Sequence, residues 1–155
     1  MSYNTGEPLC LWTLGAPVSL TGTLVKTSMA SFMLKGGIMG LQESLEIWSL
    51  WSHTNSANIK LENVAFGSAT VVGANTTTND SMNRPQWIWN RNSLSSQVFY
   101  PAGQITGTGN TSGVPATTTQ NTANDVLIDF LGTLVDVNEV ITLEAAHIKL
   151  RRYLP

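Results

Sequence analysis

The clearest alternation of apolar and polar positions runs through Glu43-Ser-Leu-Glu-Ile-Trp-Ser-Leu-Trp-Ser-His-Thr-Asn-Ser-Ala-Asn-Ile-Lys-Leu61. Leu45, Ile47 and Trp51 fall on one face of a two-residue repeat, and Trp48 and Leu50 on the other. That period is a strand's. Thr54-Asn55-Ser56-Ala57-Asn58 is turn chemistry, because small polar side chains bond their own backbone or tolerate left-handed dihedrals. A strand apolar on both faces lies deep in a sheet. The segment therefore predicts the centre of an all-β domain.

The rest of the chain extends this picture. Leu9, Cys10, Leu11, Trp12 and Leu14 predict a strand closed by Gly15-Ala16-Pro17, within an N-terminal arm of residues 1–17. Such an arm packs on a neighbouring subunit or forms the first strand of its own sheet. Val18 to Lys35 reads as one long strand or a pair joined by a bulge, ended by Gly36-Gly37. A helix over Met29–Leu41 is the rival, and Gly36, Gly37 and Gly40 would each cost it about 1 kcal/mol.

Asn63 to Val72 predicts a strand pair around Gly67, and 73–84 a polar loop. Pro85–Arg91 is an aromatic strand with Trp87 and Trp89 on one face and Ile88 opposite. Gln97–Tyr100 follows, stopped by Pro101. Residues 101–124 are rich in Gly and Thr and predict an exposed excursion outside the folding core. Asp125–Leu134 and Val140–Arg152 are the closing strands. About eight strands and no helix predict a β-sandwich, a jelly roll, over residues 18–155.

Composition narrows the function. The 155 residues suit one domain. Charged residues are 12%, against about 25% in typical soluble domains. Thr, Ser, Asn and Gly supply a hydrogen-bonding, weakly charged surface suited to extensive protein contacts. A net charge of −2 argues against nucleic acid as partner. Lys149, Arg151 and Arg152 cluster near the end, either as a solvated strand end or as a docking contact to an acidic protein surface. The lone Cys10 rules out a disulfide within the chain and is expected as a small buried hydrophobe. With no basic leader and no run of about 18 apolar residues, a soluble cytoplasmic product without membrane contact is expected.

Candidate chemistry is sparse. His53 and His147 stand far apart with no zinc spacing, so no metal and no cofactor are expected. Glu43, Glu46, Glu62, Asp129 and Glu144 are the carboxylates from which a glycosidase pair would be drawn. No nucleophile elbow or phosphate-cradling Gly-rich loop accompanies them. The expectation is a protein that is not an enzyme. Trp48 and Trp51 are expected in the core. Trp87 and Trp89 are open to either role, core packing or saccharide stacking, because Asn90, Arg91 and Asn92 follow them.

Several stretches together resemble small structural proteins of tailed bacteriophages. They are Leu20–Ser31, Gly36–Gly40, Leu45–Lys60, Asn90–Val98 and Ile141–Ala145, with Leu50-Trp-Ser-His-Thr-Asn-Ser-Ala-Asn58 the most specific. The resemblance spans roughly residues 18–150 and implies a virion component with a jelly-roll sandwich. It offers no catalytic residues to carry over. The expected role is a capsid decoration, or cement, protein, made in the host cytoplasm and carried on the virion surface. Its expected partners are the major capsid protein and itself, as a homotrimer. Expected contact residues are Leu9, Leu11, Trp12 and Leu14 of the arm and Lys149, Arg151 and Arg152 near the C-terminus. Two alternatives stand beside it: a tail-fibre or baseplate module binding host saccharide through Trp87 and Trp89, and a carbohydrate-binding module or glycosidase fragment.

Overall fold

The computed structural model describes residues 7–77, 82–99 and 114–152. These form eleven strands and no helix. In chain order they are β1 (Leu9–Thr13), β2 (Val18–Leu20), β3 (Thr27–Leu34), β4 (Ser44–His53), β5 (Lys60–Phe66) and β6 (Ala69–Thr76), followed by β7 (Met82–Ser93), β8 (Ser96–Phe99), β9 (Ala116–Thr118), β10 (Val126–Leu134) and β11 (Ile141–Arg151). They build two antiparallel sheets. The larger runs β1-β11-β4-β7-β8-β9, with β2 also on β11, and the smaller runs β3-β10-β5-β6.

The path is a jelly roll. The chain crosses between sheets so that β2-β11-β4-β7 faces β3-β10-β5-β6. Those eight make the jelly roll; β1 and β8, which the pattern also predicts as strands, and β9, which it does not, widen the larger sheet. β2 pairs with Ile141–Leu143 and β1 with His147–Leu150, so the two short strands lie end to end along one edge of β11.

β4 takes the central place its pattern predicts, between β11 and β7. Leu45, Ile47 and Trp51 point inward and are fully buried. They meet Ile128 and Phe130 of β10 and Val64 and Phe66 of β5, also fully buried, in one apolar core. Leu11, Trp12 and Leu14 pack against that core, and the Trp12 ring stacks 5.6 Å from Phe130.

Several expectations need correcting. Val18–Lys35 is neither one strand nor a bulged pair, because β2 and β3 belong to opposite sheets. Gly22, at φ 75°, starts the crossing, and its N–H donates to the Val137 carbonyl. The polar stretch 73–84 is largely strand, since β6 runs to Thr76 and β7 starts at Met82. Pairing with β5 and β4 overrides its weak local preference. Cys10 is exposed, because a bulge between Cys10 and Trp12 breaks the alternation. Trp48 lies on the outer face of β4 and is only half-buried.

The 101–124 excursion is corrected in part. Residues 101–113 lie outside the described residues. Ala116–Thr118 pairs with β8 as β9, and Thr122 is fully buried. The Thr122 hydroxyl lies 3.1 Å from the carbonyl oxygens of both Met39 and Leu94, and 2.8 Å from Asn90 Nδ2, which donates to it. The end of this segment is therefore part of the core.

Candidate functional site

The solvent-side face of the larger sheet gathers residues from three neighbouring strands. On β4, Glu46, Trp48, Leu50 and Ser52 alternate outward with the buried set. Register then fixes their neighbours. Lys149, Glu46 and Trp87 form one row across β11, β4 and β7, and His147, Trp48 and Pro85 form the next. Arg151, Ser44 and Trp89 form a third. The Trp87/Trp89 face that strand alternation predicts is thus the same face that carries Lys149 and Arg151.

Glu46 is the hub. Arg151 Nη2 donates to Glu46 Oε2 at 2.9 Å, His147 Nε2 lies 3.3 Å from Oε1, and Lys149 Nζ lies at 4.0 Å. Burial pushes the Glu46 carboxyl up. The Arg151 and His147 hydrogen bonds, with the charges of Arg151 and Lys149, outweigh burial and hold it below the usual carboxylate range. The Trp48 indole stacks on the His147 ring, 5.2 Å between centroids and 17° between planes. At the end of the sheet Arg152 Nε lies 3.5 Å from Glu43 Oε1, and Glu43 Oε2 accepts the Gly40 N–H at 2.7 Å.

Anions and cations sit at different depths here. The Glu46 and Glu43 side chains are 14% and 18% exposed, while Lys149, Arg151 and Arg152 are 34%, 46% and 54% exposed. Arg91 follows Trp87 and Trp89 along β7 and is exposed. Solvent therefore meets cations first, with carboxylates beneath them.

The arm residues lie elsewhere. Leu9 is exposed, while Leu11, Trp12 and Leu14 are half-buried against the chain's own core. The candidate carboxylates are scattered as well. Asp129 lies on the outer face of the smaller sheet, where Ser28 Oγ donates to it. Glu144 accepts from Ser52 on the larger sheet. Among the described residues no group of three or more His, Cys, Asp and Glu is arranged to hold a metal ion.

Sequence alone does not reveal a buried charged cluster between the sheets. Glu62, fully buried, lies 2.8 Å from His53 Nε2 and accepts from Arg84 Nε at 2.6 Å and Thr76 Oγ1 at 2.9 Å. Desolvation raises its pKa, but the His53 and Arg84 hydrogen bonds and charges bring it below the ordinary value. Beside it Lys60, also fully buried, lies 3.4 Å from Glu139 and donates to Ser56 Oγ at 2.8 Å. The available signal is register, since Lys60 and Glu62 share parity with the inward Val64 and Phe66. Its charged members are all buried, and the cluster joins β5 and β6 to β4 and β7.

No family model matches the chain. No curated protein matches it. Among solved structures it is similar to a chain in a structure of the infectious bursal disease virus Gt strain, with a TM-score of 0.34 and 10% sequence identity. That match covers 97% of this chain and 39% of the other, so this chain spans about two fifths of its length.

Proposed function

We propose that this protein is a structural component of a virion, a capsid decoration protein that docks on the assembled shell through the outer face of its smaller sheet. The observation that carries this is the near absence of charge on that face. Ser28, Ser31 and Met33 of β3 lie beside Leu127, Asp129 and Leu131 of β10, and Asp129 is the sole ionisable group among the outward residues of these four strands. Met33 and Leu127 are paired across the strands and are 42% and 40% exposed. Lys35 and Asp125, 2.7 Å apart, sit at the rim. A weakly charged face, with exposed apolar side chains around a single carboxylate and an ion pair at its rim, suits a protein–protein contact.

The partner in this reading is the major capsid protein. Binding the assembled shell and not its dissociated subunits stabilises the shell by mass action. The protein acts by adhesion, with no catalytic step. A homotrimer is part of the same proposal. Leu24, Val25, Val135 and Val137 are exposed on the loops at one end of the sandwich and offer apolar contacts to sister subunits. Sedimentation at micromolar concentration measures that state directly, and a monomer removes the trimer from the reading.

The docking face is tested by adding a charge to it. Leu127→Asp should abolish attachment of the purified protein to undecorated shells while leaving its melting temperature nearly unchanged. Undiminished attachment would overturn the assignment of this face.

A further inference from the structure

Beyond shell docking, we infer that the outer face of the larger sheet is a binding site for an anionic polysaccharide, whose sugar rings stack on Trp87 and Trp89 and whose acidic groups pair with Lys149 and Arg151. Three of the chain's five tryptophans, Trp48, Trp87 and Trp89, lie half-buried on this face. An indole left partly in water forgoes much of the burial that makes tryptophan stabilising in a core. Its flat apolar face with a polar edge matches the C–H face and hydroxyl rim of a pyranose.

Charge then selects the kind of saccharide. Lys149, Arg151, Arg152 and Arg91 are four of the eight lysines and arginines of a chain whose net charge is −2. Glu46, the partner of Lys149 and Arg151, and Glu43, the partner of Arg152, are sunk beneath these cations. Arg151 uses Nε and Nη2 on Glu46, and a guanidinium has five N–H donors, so others stay available. Lys149, at 4.0 Å from Glu46, makes only a loose pair. A carboxylate or sulfate on the ligand therefore meets cations already oriented by Glu46.

The dimensions suit a chain molecule. Neighbouring strands lie about 4.8 Å apart, so the Lys149–Glu46–Trp87 row spans about 10 Å. The backbone positions of Trp87 and Trp89, two residues apart on β7, lie about 7 Å apart along the strand. Each of two adjacent rows thus carries one cation and one indole on the same face of the sheet. An acidic protein surface would engage the cations but leave the indoles without flat partners. Single-stranded nucleic acid would engage both, and it is an arm of the test.

The test uses the full chain and four probes: polygalacturonate, dextran sulfate, neutral dextran and oligothymidylate. Tryptophan fluorescence and calorimetry follow binding. The expectation is binding to polygalacturonate or dextran sulfate, weakened by salt, with at least a tenfold loss in Trp87→Ala and in Lys149→Ser/Arg151→Ser. Trp87→Phe should keep most of the affinity. Trp87→Phe also separates lost stacking from a disturbed fold, and attachment to shells, measured in parallel, should survive Trp87→Ala. Polygalacturonate distinguishes a carboxylate ligand, and dextran sulfate a sulfate ligand. Binding to neither anionic polymer, equal binding by Trp87→Ala, or tighter binding of dextran or oligothymidylate would each overturn the inference.

Discussion

The two outer faces of this sandwich are made by the same strand alternation and carry opposite chemistry. The larger sheet presents Glu46, His147, Lys149 and Arg151 among three tryptophans. The smaller presents serines, leucines and a methionine around one carboxylate, Asp129. Strand geometry leaves the outward positions free, since neither face is needed to close the core. Each face can then be specialised alone: the proposed saccharide contact on the charged aromatic face should depend strongly on salt, and the proposed shell contact on the weakly charged face much less.

The strongest way to break this contrast is to break what holds the two sheets together. Glu62 on the smaller sheet accepts from Arg84 on the larger and lies against His53 there. Glu62→Ala leaves those groups buried without their counter-charge, a loss of about 3–5 kcal/mol. Chemical denaturation should show it, and any binding at either face should be lost with the fold. Next is Gly36→Ala. An added Cβ would lie 2.3 Å from the Ala123 carbonyl oxygen, which is backbone and cannot swing aside. A loss of about 1–3 kcal/mol is expected from the forced shift, read as a lower denaturation midpoint. It should spare the separation between the faces.

Smaller effects sharpen the contrast. Leu127→Asp should shift stability by no more than about 0.5 kcal/mol, as is usual at exposed positions, yet remove shell attachment. That attachment should depend little on ionic strength in the unaltered protein. Glu46→Gln should change stability by only about 0–1 kcal/mol, because its partners Lys149 and Arg151 are well exposed, and should leave shell attachment in place. Its pH dependence has a definite sign. The Glu46 pKa is lowered in the fold, so its contribution is complete above the unfolded-state value. It is lost as pH falls through the folded value, below the usual carboxylate range. Melting temperatures on the acid side should therefore fall more steeply for the unaltered protein than for Glu46→Gln.

Much of the fold is legible because burial writes itself as alternation. Leu45, Ile47 and Trp51 are fully buried as their spacing requires, and the eight jelly-roll strands stand close to where the pattern puts them. The failures share a cause in tertiary pairing. Trp48 looks like a core residue by type, but its parity on β4 puts it outside, stacked on His147, ninety-nine positions away in the chain. Lys60 and Glu62 look outward by type, yet their parity with Val64 and Phe66 turns them inward. What makes that tolerable are His53, Arg84 and Glu139, which come from other elements. The outer face of the larger sheet depends on the same information, because only register shows that Trp87, Glu46 and Lys149 share a row.

The bulges in the outermost strands bear on solubility. An unbroken sheet edge is a template for adding another chain, and that growth has no natural end. Here β1, β3 and β6 each carry one extra residue against their inner neighbour: Leu11, Met29 and Val71. The fourth edge, β9, is only three residues long. Met29 and Val71 are buried and Leu11 packs on the core, so each kink is pinned from the inside. Among the described residues the ladder of free amides and carbonyls is thus broken by a bulge on β1, β3 and β6 and is only three residues long on β2 and β9. A protein accumulating to high concentration in a confined volume can then remain discrete, instead of growing into ribbons.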